Sequence, residues 1–378
     1  MADLLIEIQT EELPANYLAY GDLNNQKLFR DAFQKGFDHI NDTGAYRYQG
    51  LTIYLTPRRI LFVCESVSAD ESEREEILYG PPADRAYDAA GKPTKVLEGF
   101  MNSKGASLDE IEVAEYKGRS CVACKRRVKP EPFSSQIQVL LDECVRTLNF
   151  PKFMWWDNSG FKFPRPVRGL MCFYRGEPVS IKLGEVRSAP QTKVFRNGSR
   201  TLLNIRSADD YFSQISKSGV VLSQADRKKQ IKDSISSLAE SAGSRASNQE
   251  ELLEEVVFLT EAPVCLLGKY SDTFSDLPKK VLTSSLSKSQ RLFELLQKDS
   301  DAHTPYDIVV LDGSVKEDDA VLRNVSSILT AKLQDSHFFF KEDSDVFADQ
   351  QRLDMLRADL NNLVYLKGVG SVGEKCSR

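Results

Sequence analysis

Leu4-Leu5-Ile6-Glu7-Ile8-Gln9-Thr10-Glu11-Glu12-Leu13-Pro14 begins the chain with a short apolar strand that runs into an acidic turn. Glu11, Glu12 and Pro14 are expected to open a helix. Adjacent acids in a first helical turn complement the helix N-terminus, which is preferred here over a pair of acids for general acid–base work.

Outward from this strand the first region mixes strands and helices. Residues 51–55 and 59–64 are rich in β-branched and aromatic residues, and Thr56-Pro57-Arg58 separates them as a tight connection. The stretch from Ser72 to Gly105 is charged, then rich in Gly and Pro; Gly80-Pro81-Pro82 and Ala90-Gly91-Lys92-Pro93 mark turns. Ser134 and Ser135 can cap a helix whose apolar residues Ile137, Leu140, Leu141, Cys144, Val145 and Leu148 fall at helical spacing. Further strands are expected at 169–174 and 179–183.

From about 207 the pattern turns mostly helical, with helices near 207–217, 223–242 and 249–259 and short strands at 262–268 and 306–312. Two amphipathic helices follow, one lined by Leu322, Val325, Leu329 and Leu333, the other by Leu353, Leu356, Leu360 and Leu363. No internal repeat or low-complexity tract occurs. The fold class expected is α+β: a mixed α/β domain over 1–200, a second, mainly helical α+β region over 201–318, and a helical segment over 319–378. The glycine-rich end, Gly368 to Lys375, reads as a connection into a missing domain.

Composition bounds the function. The chain has 378 residues, 41% hydrophobic and 28% charged, which is ordinary globular usage. No run approaches the roughly 18 uncharged apolar residues of a membrane helix, and the N-terminus lacks a signal pattern. A cytoplasmic protein with no membrane partner is the expectation. Seven scattered cysteines do not form a disulfide framework and are read as reduced. A net charge of −5 gives no general support to an RNA partner, so that case rests on local clusters.

No catalytic constellation stands out. The three histidines are not at metal-ligand spacing, and neither a GxxxxGK[ST] loop nor a GxSxG elbow occurs. Cys121-Val122-Ala123-Cys124 lies in a strand-like stretch without a second ligand pair, so two ordinary thiols are preferred to zinc or redox chemistry. Basic residues interleaved with aromatics tell more: Arg58-Arg59, Lys125-Arg126-Arg127, Lys152 before Met154-Trp155-Trp156, and Phe163-Pro164-Arg165-Pro166-Val167-Arg168. Lys and Arg neutralise phosphates, and exposed aromatics stack on unpaired bases. The competing reading puts Trp155 and Trp156 in the core and pairs the arginines with acids.

Several of these segments, taken in order, resemble the beta subunit of the bacterial tetrameric glycyl-tRNA synthetase. They include the Leu5–Pro14 opening, Leu55-Thr56-Pro57-Arg58-Arg59-Ile60, Gly80-Pro81-Pro82, Pro151-Lys152 with Met154-Trp155, and Phe163 to Arg168. Glu261-Ala262-Pro263-Val264, Leu333 to Phe340 and Leu363 to Gly370 continue the series. The resemblance implies a tetramer of two alpha and two beta chains. The alpha subunit would bind ATP, Mg and glycine and form the adenylate, with no cofactor on this chain. The beta chain would hold tRNA(Gly) and be needed for charging; DNA is not implied. The N-terminal part would resemble a phenylalanyl-tRNA synthetase beta-chain domain, and HD-type and anticodon-binding domains would normally follow. Arg58, Arg59, Lys152, Arg165, Arg168, Lys193 and Arg196 are the candidates for RNA or interface contacts. Departures occur at Gln9, at Thr192-Lys193-Val194-Phe195-Arg196, at Ser289-Gln290-Arg291 and at Arg323-Asn324-Val325-Ser326. They support an alternative, a degenerate non-catalytic paralogue acting as an RNA-binding or scaffold protein.

Overall fold

A computed structural model gives the structure and describes residues 2–18, 26–41, 44–70, 72, 74–88, 91–116, 118–128, 131–196, 199–274, 276–314 and 317–377. The opening strand, Leu4–Thr10, lies at the middle of an antiparallel five-stranded sheet. Its neighbours are Arg59–Ala69 on one side and Val167–Tyr174 on the other; Tyr46–Thr56 and the two-residue Glu177–Pro178 form the edges. All seven residues of the strand are buried because both faces of the sheet are covered. Side chains alternate between those faces. Leu4, Ile6 and Ile8 pack with Phe29, Phe33, Ile137 and Leu140 of the helices Lys27–Ile40 and Phe133–Thr147. Leu5 faces the other way, with Leu61, Met171, Tyr211 and Ile215. That second face is covered by the helix Ala208–Lys217 and by the hairpin Gln191–Arg196/Ser199–Asn204. Residue 200 lies in this hairpin, which forms a two-stranded sheet of its own and packs on the first sheet.

The first core continues through Ile231, Ile235, Leu253 and Val257 to Leu295 and Ile308 on a second antiparallel sheet. Its order is Ser244–Ala246, Phe293–Gln297, His303–Asp312, Pro263–Lys269. The opposite face of this sheet packs on the 31-residue helix Asp318–Ala348, which buries Leu329 and Leu333. No residue of the next helix, Gln350–Asp359, is buried. Among the described residues no helix is long and apolar enough to cross a membrane.

Several local expectations change. Glu11 and Glu12 lie in the turn, and the helix turn that follows, Ala15–Leu18, carries no acid in its first turn; both carboxylates are drawn to arginines instead. The helix expected to be capped by Ser134 and Ser135 starts at Phe133, behind the extended backbone of Pro132, and Ser135 Oγ donates to Pro132 O at 2.8 Å. Gly80-Pro81-Pro82 is not a free turn but ends the edge strand Arg74–Pro82, where prolines cost no ladder bond. A Cβ on Gly80 would meet Val122 at 2.9 Å and Phe100 at 3.0 Å, so close packing requires glycine there. Between 179 and 183 only Lys182–Leu183 is a strand. Cys121 and Cys124 are buried three apart on the strand Arg119–Val128, hence on opposite faces, which suits two packed thiols better than a chelating pair.

The second sheet contains a buried acid with a pH signature. Asp307 is 2% exposed, its Oδ2 has no hydrogen-bond partner, and burial pushes its carboxyl up from 3.8 to about 6. A carboxyl whose folded pKa is raised contributes least penalty below its unfolded pKa, and stability is lost as pH rises through that window. The loss between about pH 4 and pH 6 is roughly 3 kcal/mol at 1.36 kcal/mol per unit. The stability of the native chain relative to Asp307→Asn, read from urea midpoints, should therefore fall over that window and level off above it. Parallel curves would show that Asp307 titrates alike in the folded and unfolded chain, and a fall that continues without levelling would show that it stays protonated when folded.

Candidate functional site

The two long strands Tyr46–Thr56 and Arg59–Ala69 are joined only by Pro57 and Arg58, with Thr56 paired to Arg59. The adjacent arginines part at this turn: Arg58 lies in the connection, and Arg59 is the first residue of the second strand. Arg59 points into the second face of the first sheet and is 1% exposed. It donates from Nη1 to Glu7 Oε1 at 3.0 Å and to Thr192 Oγ1 at 2.9 Å, and from Nη2 to Lys193 O. Its Nε lies 3.0 Å from Glu261 Oε1, an ionic contact without the alignment of a hydrogen bond. Tyr211 adds a 2.6 Å bond to the same Glu7 oxygen. Burial disfavours the charge, but Glu261 and Glu7 overcome it and hold the guanidinium above its ordinary range. Arg59 is thus a structural cation, 1% exposed, and is not presented at the surface for the RNA or interface contact expected of it.

Arg58 stays at the tip, 20% exposed. It pairs with Glu12 at 2.6 Å, with Asp312, and more distantly with Glu261 at 3.7 Å. Its guanidinium sits 5.2 Å from the Phe195 ring centroid. Asp312 is itself fixed by the backbone N–H groups of Glu261 at 2.7 Å and Ala262 at 3.0 Å.

Beside this tip lies a half-open cleft of about 230 Å³. The end of the opening strand forms one wall, through Thr10, Glu11 and Glu12; Arg58, Arg168, Lys193, Phe195 and Arg200 complete it. Gln9 ties the walls together, donating to Thr192 Oγ1 at 2.9 Å and Lys193 O at 2.8 Å and accepting from Lys193 N at 3.1 Å. Glu11 accepts from Arg168 Nε at 2.7 Å and from Arg200 Nη2 at 3.1 Å. Partial burial works against its charge, but those arginines prevail and hold the carboxyl below its usual range. The cleft therefore presents cations and one aromatic ring to solvent, with two carboxylates as resident counter-charges. The arrangement can hold an anion, as Arg168 and Arg200 hold the Glu11 carboxylate, and among the described residues no group of three or more His, Cys, Asp or Glu is placed to hold a metal.

Of the seven residues picked from sequence, Arg58, Arg168 and Lys193 meet at this cleft. Arg165 supports it from outside by donating Nε to Glu12 O at 3.0 Å. Arg196 ends the strand that carries Lys193, and its side chain lies outside the described residues. Lys152 is exposed ahead of a separate hairpin, Met154–Trp155 with Lys162–Phe163. There Trp155 is 66% exposed with Lys162 Nζ 4.4 Å from its ring, and Trp156, 39% exposed, donates Nε1 to Phe163 O at 2.7 Å, so neither indole joins the core. Lys125 pairs with Glu112 at 3.0 Å, while the side chains of Arg126 and Arg127 lie outside the described residues. Sequence reasoning missed Arg200, Phe195 and Thr10. The alternation of Thr192-Lys193-Val194-Phe195 is the signal that separates buried Thr192 and Val194 from exposed Lys193 and Phe195.

Comparison with known proteins agrees with the sequence resemblance. The sequence profile of the glycyl-tRNA synthetase beta subunit family matches residues 4–378. The chain is 30% identical over 378 residues to the glycine–tRNA ligase beta subunit of Natranaerobius thermophilus, covering 99% of this chain and 52% of that protein. It is 32% identical over 379 residues to that of Nitratidesulfovibrio vulgaris and 29% over 379 residues to that of Aquifex aeolicus, covering 52% and 54% of them. The chain spans about half the length of the curated relatives it matches. It belongs to the glycyl-tRNA synthetase beta subunit family.

Proposed function

We propose that this family member works as the beta component of a cytoplasmic glycine–tRNA ligase, holding the tRNA(Gly) acceptor arm while an alpha subunit performs the chemistry. The family match over nearly the whole chain carries this reading. The partner in it is a pair of alpha chains, forming a tetramer with two beta chains, and ATP, Mg and glycine bind there. The contribution of this chain is positional. Charging requires the terminal ribose hydroxyl to be held against the adenylate, and correct placement alone supplies several kcal/mol to such a step. The cleft supports an RNA contact because Arg168, Lys193 and Arg200 are exposed cations that can replace phosphate counterions.

A second reading has its own observation. Glu11 is bound to both Arg168 and Arg200, and Glu12 to Arg58, so much of the local positive charge is already neutralised. That favours a scaffold that keeps the fold without charging tRNA. Glycine attachment to tRNA(Gly) separates the two, using matched alpha subunit alone, with this chain, and with this chain extended to the length of its relatives. Charging that depends on a beta chain and is lost when residues 1–378 are deleted from the extended form is the expected result. An active alpha preparation that neither binds this chain nor gains activity from either form would establish the scaffold.

A further inference from the structure

We propose that the cleft is a subsite for one unpaired nucleotide, whose phosphate takes the place of the Glu11 carboxylate between Arg168 and Arg200 and whose base stacks on Phe195; this rests on the tRNA-holding reading above. Three observations converge on it. First, the two guanidinium groups already hold an anion: Glu11 Oε1 lies 2.7 Å from Arg168 Nε and 3.1 Å from Arg200 Nη2. Their side chains are 52% and 58% exposed and that of Glu11 31%, so this is a weak, solvent-accessible pairing that another anion can replace. The Glu11 backbone stays anchored by its N–H to Pro166 O at 3.0 Å, so only the side chain has to move.

Second, Thr10 lines the same cleft, is 4% exposed, and its Oγ1 has no hydrogen-bond partner. A buried hydroxyl without a partner calls for an explanation; Oγ1 is closed to solvent while Glu11 is in place, and displacement of the Glu11 side chain, which the subsite requires, would open it to a phosphate oxygen or ribose hydroxyl. Third, Phe195 is 38% exposed yet held in place by the Arg58 guanidinium, which makes it a fixed surface for stacking. The volume of about 230 Å³ is below the roughly 300–1,000 Å³ of pockets for drug-sized ligands. One phosphate and ribose are accommodated, with the base lying out on Phe195. RNA recognition of this kind uses unpaired nucleotides, whose bases are free to stack.

Glu11 then acts as a resident counter-ion that competes with RNA, and this separates the proposal from a purely structural role. The probe is a fluorescently labelled single-stranded hexaribonucleotide, titrated into the full chain at several salt concentrations, with tRNA(Gly) titrated in parallel. Glu11→Gln should tighten hexamer binding about threefold or more. Arg200→Ala should weaken it and reduce the slope of log affinity against log salt by about 0.7, the value for one phosphate on a single strand. Thr10→Val and Phe195→Ala should each weaken it about fivefold or more, Phe195→Trp should retain it, and Thr10→Val should not lower the melting temperature. Unchanged binding in Thr10→Val and Phe195→Ala, or weaker binding in Glu11→Gln, overturns the subsite. If tRNA(Gly) binding and charging persist in those same variants, the functional reading stands without it. If the native chain binds no tRNA(Gly), both fall together.

Discussion

Replacing Arg59 with methionine should lower the stability of the chain by about 3–5 kcal/mol, the range for removing one partner of a buried ion pair. The size follows from what is left behind. Glu7 and Glu261 are 1% and 2% exposed, and Arg59 is a close cationic contact of both. Glu7 Oε2 already lacks a partner, so the loss of Nη1 leaves the carboxylate held only by Tyr211. Thr192 Oγ1 and Lys193 O lose their bonds from the same guanidinium, which loosens the hairpin that forms a wall of the cleft. Methionine keeps most of the stem volume, so the change reports on charge and hydrogen bonds rather than on a cavity. Urea unfolding followed by circular dichroism measures it. A loss below about 1 kcal/mol would mean that the carboxylates relax to water or take up protons, and that the network contributes little. The same variant tests the assignment of Arg59: RNA affinity per folded molecule should keep its salt slope, because no phosphate reaches a side chain 1% exposed.

The Arg58-Arg59 pair also shows how far the sequence could be read. Two neighbouring arginines suggest a patch, but one stays in the turn while the other starts a strand and points inward, and Glu7 inside an apolar run is the sign that a buried cation is needed. The helices over 208–217 and 224–241 were legible because Tyr211 and Ile215, or Ile231 and Ile235, recur at helical spacing. The seven-residue buried opening strand was legible as a strand, yet its lack of alternation only makes sense once both sheet faces are seen to be covered. Counter-ions were out of reach. Asp312 lies 254 positions from Arg58, and Glu11 is 157 from Arg168 and 189 from Arg200. Local pattern carries no information about such pairs, so Glu11 and Glu12 read as helix-terminal acids. The indoles on the Met154–Trp155 hairpin were left between two readings for a related reason: composition favours burial of tryptophan, and only the two-residue strand shows that there is too little sheet to cover them.

Arg227→Met should cost about 4 kcal/mol or more and should disturb the cleft from a distance. Arg227 is fully buried and pairs with no carboxylate directly; it donates to four backbone carbonyls. These are Val257 O at 3.0 Å, Val221 O at 2.6 Å, Leu222 O at 2.8 Å and Leu55 O at 2.6 Å. Hydrogen bonds to a charged group contribute about 1.5–3 kcal/mol each, though not additively, and each buried carbonyl left unpaired carries its own desolvation penalty. Val257 is the last residue of its helix, where a cation also complements the dipole. Burial pushes the Arg227 guanidinium down to about 10, while Glu261 and Asp312 pull it up, so it remains charged at neutral pH. Arg58, Arg59 and Arg227 thus face Glu7, Glu261 and Asp312 in one buried or half-buried array, three cations to three carboxylates. Leu55 immediately precedes Thr56, which donates to Glu261 Oε1 at 2.5 Å, and the tip that follows carries Arg58. Loss of the Leu55 bond should therefore be felt first at that tip. Amide hydrogen exchange in Arg227→Met should speed up around residues 55–60 before global unfolding, and Arg227→Lys, with three donors and no planar fork, should recover less than half of the stability. Protection at 55–60 that falls only in step with the rest of the chain would show that Arg227 holds the two sheets together without positioning the cleft.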